Sequence, residues 1–531
     1  MTLRPPSNAS SLLFALPCLL WGACTWVSSP DIQSGIGQPC SQDSDCNAAL
    51  CVKSERYPQA GICATSCGTT ADCPTGAMCA DSLCQIPLRV GIALTGNTDG
   101  IEGWTVSHVQ GLDGAASKLP YVKVEKQFNA IPHQVLDSLL KLTERSDLLL
   151  GNTVDYIDDF GVAAARHPDK KFACIDDGIS SKSYPNVAPY WINRVEAWYL
   201  AGRVAARIAD GKPLGVINAF INPETVADVN AFTLGARYEN EKDPYKKKET
   251  TVIVGHVGFW MDNNIDPLFP YTHQYGDKRS ATYYREEYLA SLLADKGSAI
   301  IAHLTNTQRS VQQIERMKGL NLLKGPVYSM ANDKQQGCLD ATGTAVPTCL
   351  GSIYENWLPL YRDLFEQVHL GIFSPQKPLR YDVTIDTNTP TGVELNKAVL
   401  GLPAGSDGFS LLGMQAELAR VPEGPRRRVF KGPYVINGQR DVDANGLPDP
   451  KDLQEVRTDE LLTDAELARM CWYVEGVVEV DPSGNLVPAM VPGGLRKGST
   501  KPNDLYEPTD AADLKKVVPK GLDYHCLLNL P

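Results

Sequence analysis

Polar and aromatic side chains recur just past short apolar runs along the middle of this chain, and their types suit binding better than bond making. Thr95 and Asn97 follow "LRVGIAL", Asn152 follows "DLLLG", Asp176 and Asp177 follow "KFACI", and Asn218, Trp260, Asp262, Thr305, Asn332 and Asp333 close later runs. Each alone is also what a loop or a helix cap supplies. As a set they describe a polar cleft with aromatic walls. The chain has no G-x-S-x-G and no H-E-x-x-H, and in "GGLRKGST" the lysine precedes the glycine where a phosphate-cradling loop needs it after. The histidines stand singly, so His256 and His303 read as structural rather than as metal ligands. No nucleophile has a visible base, and the expectation is a protein that is not an enzyme.

One stretch has the spacing of a metal site. "DVDANGLPDPKD" puts Asp441, Asp443, Asn445, Asp449 and Asp452 at the first, third, fifth, ninth and twelfth positions, with Gly446 at the sixth, as a calcium loop does. A plain "ANG" turn in a polar excursion accounts for the same residues. No other cofactor is expected.

The cysteines speak of compartment. Eight of the fifteen fall between Cys40 and Cys84, as Cys40, Cys46, Cys51 and Cys63 and then Cys67, Cys73, Cys79 and Cys84. The two quartets look like one motif written twice, each with Asp before its second cysteine. The segment has no His and no C-x2-C pair, so four disulfides are favoured over zinc, with roughly a hundred pairings open. It is too short and too poor in large apolar residues to hold a core without them. Farther on, Cys338 and Cys349 bracket a turn-rich loop and should bridge it. Cys471 and Cys526 are a candidate pair in the tail, and Cys174 reads as a free core thiol.

Near the start, Arg4, the apolar run "LLFALPCLL" and the small pair Gly22 and Ala23 lead to Cys24. The run is about nine residues, short of the roughly twenty that span a bilayer, so it reads as an export signal. "LWGAC" resembles the site at which bacterial lipoproteins are cut and acylated, with Trp21 as the departure. The expectation is a signal over residues 1–23 and a mature chain tethered by a lipid on Cys24, the alternative being a plain signal cut nearby. The net charge of −12 without a long basic run argues against nucleic acid.

The elements that would position the cleft residues are legible. From Leu88 onward, short apolar runs alternate with amphipathic stretches such as "QVLDSLLKLTERS" and "TQRSVQQIERMKG", which reads as parallel sheets with helices on both faces. Asn222 and Pro223 should open one helix and Gly297 close another. Ligands of such α/β folds gather beyond the carboxyl ends of the strands. The organisation expected is a linker over 24–39, a disulfide-rich module over 40–86, and a two-lobed domain over 87–531 with an extended tail from about residue 424.

From Leu88 to His369 the chain resembles the basic membrane protein family of solute-binding lipoproteins, whose better-known members deliver purine nucleosides to ABC importers. The resemblance is carried by "VGIALTGNTDGIEGWTVSHVQGL", "HPDKKFACIDDG", "YPNVAPYW", "AWYLAGRVAA", "VNAFTLGAR", "HVGFWMD" and "VYSMANDKQ", in the family's order, with "VFKGPYVING" and "ELLTDAELARMCWYVEGVV" similar to the tail of a longer branch. It implies a type I periplasmic binding protein fold whose cleft closes on a small molecule, and an ABC-type permease as partner. It also implies that Trp104 and Trp260 clamp a purine from opposite lobes. The chain departs where the family's ribose-holding aspartate falls on Ala331, with Asp333 close by, where a family lysine falls on Glu355, and where an asparagine falls on Thr105. The binding set this implies is Trp104, Thr105, Asn97, Asn152, Asp176, Trp260, Asp333 and Glu355. The ligand expected is a nucleoside or related heterocycle. The acids Asp176, Asp333 and Glu355 make an organic cation the alternative, and a surface sensor or adhesion protein using the cysteine module to bind a partner is the other.

Overall fold

The computed structural model describes residues 35–489, except 48, 99–101, 133, 177–183, 220–221, 243–246, 258–259, 261–285, 341, 378, 383–391, 402–409, 421–427, 436–454, 457–461, 463–469, 471 and 481–483. Cys24, Cys471, Cys526, Asp177, Asp262 and the calcium-spaced Asp441, Asp443, Asn445, Asp449 and Asp452 lie outside the described residues. Among those described, no helix is long and apolar enough to cross a membrane.

The cysteine segment is two small antiparallel units. Strands β1 (Pro39–Cys40), β2 (Leu50–Lys53) and β3 (Gly61–Ala64) form the first, in the order β1-β3-β2, and the hairpin β4 (Met78–Ala80) and β5 (Leu83–Gln85) the second. Disulfides join Cys40 to Cys51, Cys46 to Cys63, Cys67 to Cys79 and Cys73 to Cys84. First pairs with third and second with fourth in both quartets, and no sulfur is left for zinc. The repeated Asp has a structural role: Asp45 Oδ2 accepts the N–H groups of Ser41 (2.8 Å) and Gln42 (3.1 Å), and Asp72 Oδ2 those of Gly68 (2.9 Å) and Thr69 (2.7 Å). Each closes one turn of 3₁₀ helix ahead of its cysteine.

Two sheets follow, and the alternation of strands and helices builds both. Lobe 1 holds β6 (Leu88–Ala93), β7 (Val122–Gln127), β8 (Leu148–Gly151), β9 (Lys171–Ile175), β10 (Val187–Asn193) and the late strand β16 (Leu379–Asp382), all parallel, in the order β16-β10-β9-β8-β6-β7. Lobe 2 holds β11 (Leu214–Asn218), β12 (Val252–His256), β13 (Ile300–His303), β14 (Tyr328–Asp333) and β15 (Cys349–Tyr354) in parallel. Antiparallel β17 (Val393–Leu395) flanks β15, while β20 (Val477–Val480) runs parallel beside β12 and carries β21 (Leu486–Pro488). A two-stranded ribbon, β18 (Tyr434–Val435) with β19 (Glu455–Val456), belongs to the tail.

Helices cover the sheets: α1 (Trp104–Ser117), α2 (Leu136–Arg145), α3 (Ile157–Arg166) and α8 (Leu358–His369) in lobe 1, and α4 (Val195–Ala209), α5 (Pro223–Glu241), α6 (Glu286–Asp295) and α7 (Arg309–Gly319) in lobe 2, with α9 (Leu411–Ala419) against α4. Asn222 caps α5 as its sequence predicts, its side chain accepting the Thr225 N–H at 2.9 Å, with Pro223 in the first turn. Helices α4 and α5 touch backbone to backbone. A Cβ on Gly202 would stand 2.0 Å from the Phe232 carbonyl oxygen, and one on Gly235 2.0 Å from that of Tyr199. Only glycine fits either place.

The chain passes between lobes from β10 to α4, from β15 to α8 and from β16 to β17, so a hinge of three segments joins them. The cysteine module sits on α8: Ser54 Oγ donates to Glu366 at 2.7 Å, the Tyr57 hydroxyl to Asp363, and His369 Nε2 lies 3.2 Å from Gln85 Oε1. On lobe 2 the tail is held by Asn230, whose Nδ2 donates to the Trp472 carbonyl (2.7 Å) and whose Oδ1 accepts the Val474 N–H (2.9 Å). A disulfide joins Cys338 to Cys349, and Cys174 is buried and free.

Candidate ligand-binding cleft

Strand ends place the predicted residues. In lobe 1, Asn152 follows β8, and its Oδ1 accepts the Thr95 N–H at 3.0 Å, tying the ends of β6 and β8 together. Its carbonyl accepts the indole N–H of Trp104 at 2.8 Å. Trp104 does not stand alone at a strand end. It is 9% exposed and packs edge-on to Trp357 (5.5 Å) and His108 (4.6 Å), with Trp191 tilted beside it at 6.3 Å. Lobe 1 therefore presents an aromatic wall of which the sequence reading named one member. Thr105 turns inward: its hydroxyl accepts the Gly96 N–H at 3.1 Å and its own N–H donates to Glu102. Asp176 is buried beyond β9, its N–H donating to the Tyr190 carbonyl at 3.2 Å, and Asn97 is half-buried.

In lobe 2, Asn218 ends β11 and Trp260 packs half-buried on a cluster that includes Ile217 and Ala219. The lobes meet here. The Gly103 N–H donates to the Asn306 carbonyl (2.6 Å), the Asn306 N–H donates to the Trp260 carbonyl (2.6 Å), and Glu102 forms a β-bridge with Thr307. The backbone of Asn306 thus links Gly103, next to Trp104, with Trp260 across the seam. Lobe 1 also offers Val154 to the cluster on which Trp260 rests.

Around the seam are buried polar atoms without a hydrogen-bond partner among the described residues: Asn152 Nδ2, both side-chain heteroatoms of Asn218, and Asn332 Oδ1. Such atoms are costly to bury unpaired. His256, beside Asn218 in register, is pushed down to about 3 by burial and stands as neutral imidazole. His303 is held by Thr305 and Gln308.

Asp333 and Glu355 are engaged by a residue the sequence reading passed over. Arg194 stands at the first hinge crossing, fully inside. Its guanidinium reaches Asp228 (2.8 Å), Glu224 (2.9 Å), Glu355 (2.8 Å) and Asp333 (3.3 Å). Burial works against its charge, and the carboxylates, Asp228 first, overcome that and hold it. Burial raises both Asp333 and Glu355, the Glu355 charge adding to the effect on Asp333. Glu102, buried at the start of α1, is pushed up to about 8 by burial, against the hydrogen bonds it accepts from Thr105. The signal for Arg194 in the sequence was one charge between an apolar strand and an apolar helix, in "YWINRVEAWYL".

Two largely parallel sheets, three crossings and a seam of strand ends define a two-lobed α/β fold. Residues 90–266 match the family model Bmp, described as ABC transporter substrate-binding protein PnrA-like. The matched stretch is about a third of the chain. The putative ABC transporter glucose-binding protein TsgA13 of Haloferax volcanii is 26% identical over 161 residues, which are 30% of this chain and 39% of the relative. The match therefore spans well under half of that relative's length. Among solved structures, a solute-binding protein of an ABC transporter system from Aeropyrum pernix K1 is similar at 16% identity and a TM-score of 0.45, covering 63% of this chain and 86% of its own. An ABC transporter solute-binding protein from Agrobacterium vitis bound with α-D-tagatopyranose is similar at 14% identity and 0.39, covering 60% and 97%.

Proposed function

We propose that this protein is an exported solute-binding lipoprotein, tethered through Cys24, that closes its lobes on a nucleoside or related flat heterocycle and delivers it to an ABC-type permease. The observation that carries the reading is the seam itself: the Trp104–Trp191–Trp357 wall in one lobe, Trp260 in the other, and the unpartnered Asn152 Nδ2 and Asn218 side-chain amide at their strand ends. Aromatic faces take a flat ring, and the amides take its edge or its hydroxyls.

Titration of the purified full chain with adenosine, guanosine and inosine, followed by tryptophan fluorescence, tests it. Quenching with micromolar or tighter affinity is expected, weakened about tenfold by Trp104→Ala. The name of the Haloferax relative makes glucose the comparison probe, and glucose binding without nucleoside binding would replace the heterocycle by a sugar. Mass spectrometry of the mature N-terminal peptide tests the tether, and a mature chain starting beyond Cys24 would remove it.

A further inference from the structure

At the floor of the cleft the charges do not balance. One guanidinium, Arg194, faces the four carboxylates of Glu224, Asp228, Asp333 and Glu355, all buried or nearly so. Glu102 of lobe 1, pushed up to about 8 by burial, adds little charge near neutral pH, and the nearby Lys334 charge acts on Glu102. Four N–H···O contacts of Arg194 go to these carboxylates, and Asn332 Nδ2 is spent on Asp333 Oδ1 at 2.7 Å. Asp333 Oδ2, Glu355 Oε2 and Asn332 Oδ1 are left as buried acceptors without a partner among the described residues. Their place is the seam. A Cβ on Gly103 would stand 3.2 Å from Asp333 Cβ and 3.0 Å from the Asn332 carbonyl oxygen.

We propose that this floor is a cation-recognising subsite, where Asp333, Glu355 and Asn332 receive a primary ammonium or amidinium group of the solute. This rests on the solute-receptor reading above and narrows it to heterocycles that carry such a group. Three unpartnered acceptors suit a group rich in N–H, and charge-assisted hydrogen bonds are the strong ones. Burial, which raises both acids, also means that they gain most from a partner carrying full positive charge.

The test is calorimetry of the full chain at neutral pH with adenosine, 5′-amino-5′-deoxyadenosine and putrescine. The amino nucleoside should bind about tenfold tighter than adenosine, and Asp333→Asn or Glu355→Gln should erase that preference. Adenosine binding as well as its amine overturns the subsite and leaves the receptor reading standing. Putrescine binding alone, weakened by either substitution, upholds the subsite and removes the heterocycle. Binding of none of the three overturns both. The comparison on unaltered protein decides the matter even if the buried variants fail to fold.

Discussion

Gly103 of lobe 1 donates its N–H to the carbonyl of Asn306 in lobe 2 at 2.6 Å, at a place where a side chain would crowd Asn332, Gln308 and Asp333. Its φ is that of an ordinary residue, so the requirement is space rather than backbone freedom. Gly103→Val should fold, hold the lobes apart and weaken solute binding about tenfold or more. Small-angle scattering would see the larger radius; an unchanged closed envelope with ligand would mean that the seam tolerates bulk.

Glu102 gives the protein a pH dependence of definite sign. Its folded value, about 8, lies above that of an ordinary glutamate, so the folded chain keeps a proton that the unfolded chain gives up. The stabilisation is complete below about pH 4.5 and is lost as pH rises through about 8. Thermal melts should fall across that window. Glu102→Gln should flatten the slope, and an identical slope in the variant would assign it elsewhere.

Arg194→Met would strand four carboxylates in the interior. Breaking a buried pair from one side costs about 3–5 kcal/mol, and here several pairs break at once. The variant should unfold at markedly lower urea than the parent. Lys should not rescue it, since it cannot present the fork that reaches Asp228, Glu224 and Glu355 together. A melting point within a few degrees of the parent would show the cluster to be protonated and dispensable.

Two glycine substitutions should move stability in opposite directions. Gly235→Ala drives a methyl into the Tyr199 backbone and should cost about 1–3 kcal/mol or more by parting α4 from α5. Gly319→Ala, at the end of α7 with nothing within 4 Å of its Cβ, should gain about 0.4–1 kcal/mol. Equal effects in chemical denaturation would mean that the helix crossing relaxes freely.

What could be read without coordinates follows a physical line. The sheets were legible because strands buried on both faces are apolar runs, and the α5 cap because Asn222 and Thr225 are local. The Cys338–Cys349 bridge closes a short loop and was legible for the same reason. Arg194 was not, since its partners Asp228, Asp333 and Glu355 lie 34, 139 and 161 residues away. Nor were Trp191 and Trp357 as neighbours of Trp104, since the third comes from beyond a second hinge crossing. Thr105 lies in the first turn of α1 and its hydroxyl faces Gly96, a choice of rotamer and packing that no spacing encodes.

The position of β20 bears on how the chain is made. Lobe 2 begins at Val195, yet the strand that covers the outer edge of β12 is Val477–Val480, more than two hundred residues later. During synthesis that edge of β12 waits with its N–H and C=O groups unpaired, a template for mispairing with other chains. The segment that seals it emerges late. A nascent chain halted before Val477 would carry a finished first lobe and an adhesive second one, so the tail guards the molecule against its own siblings.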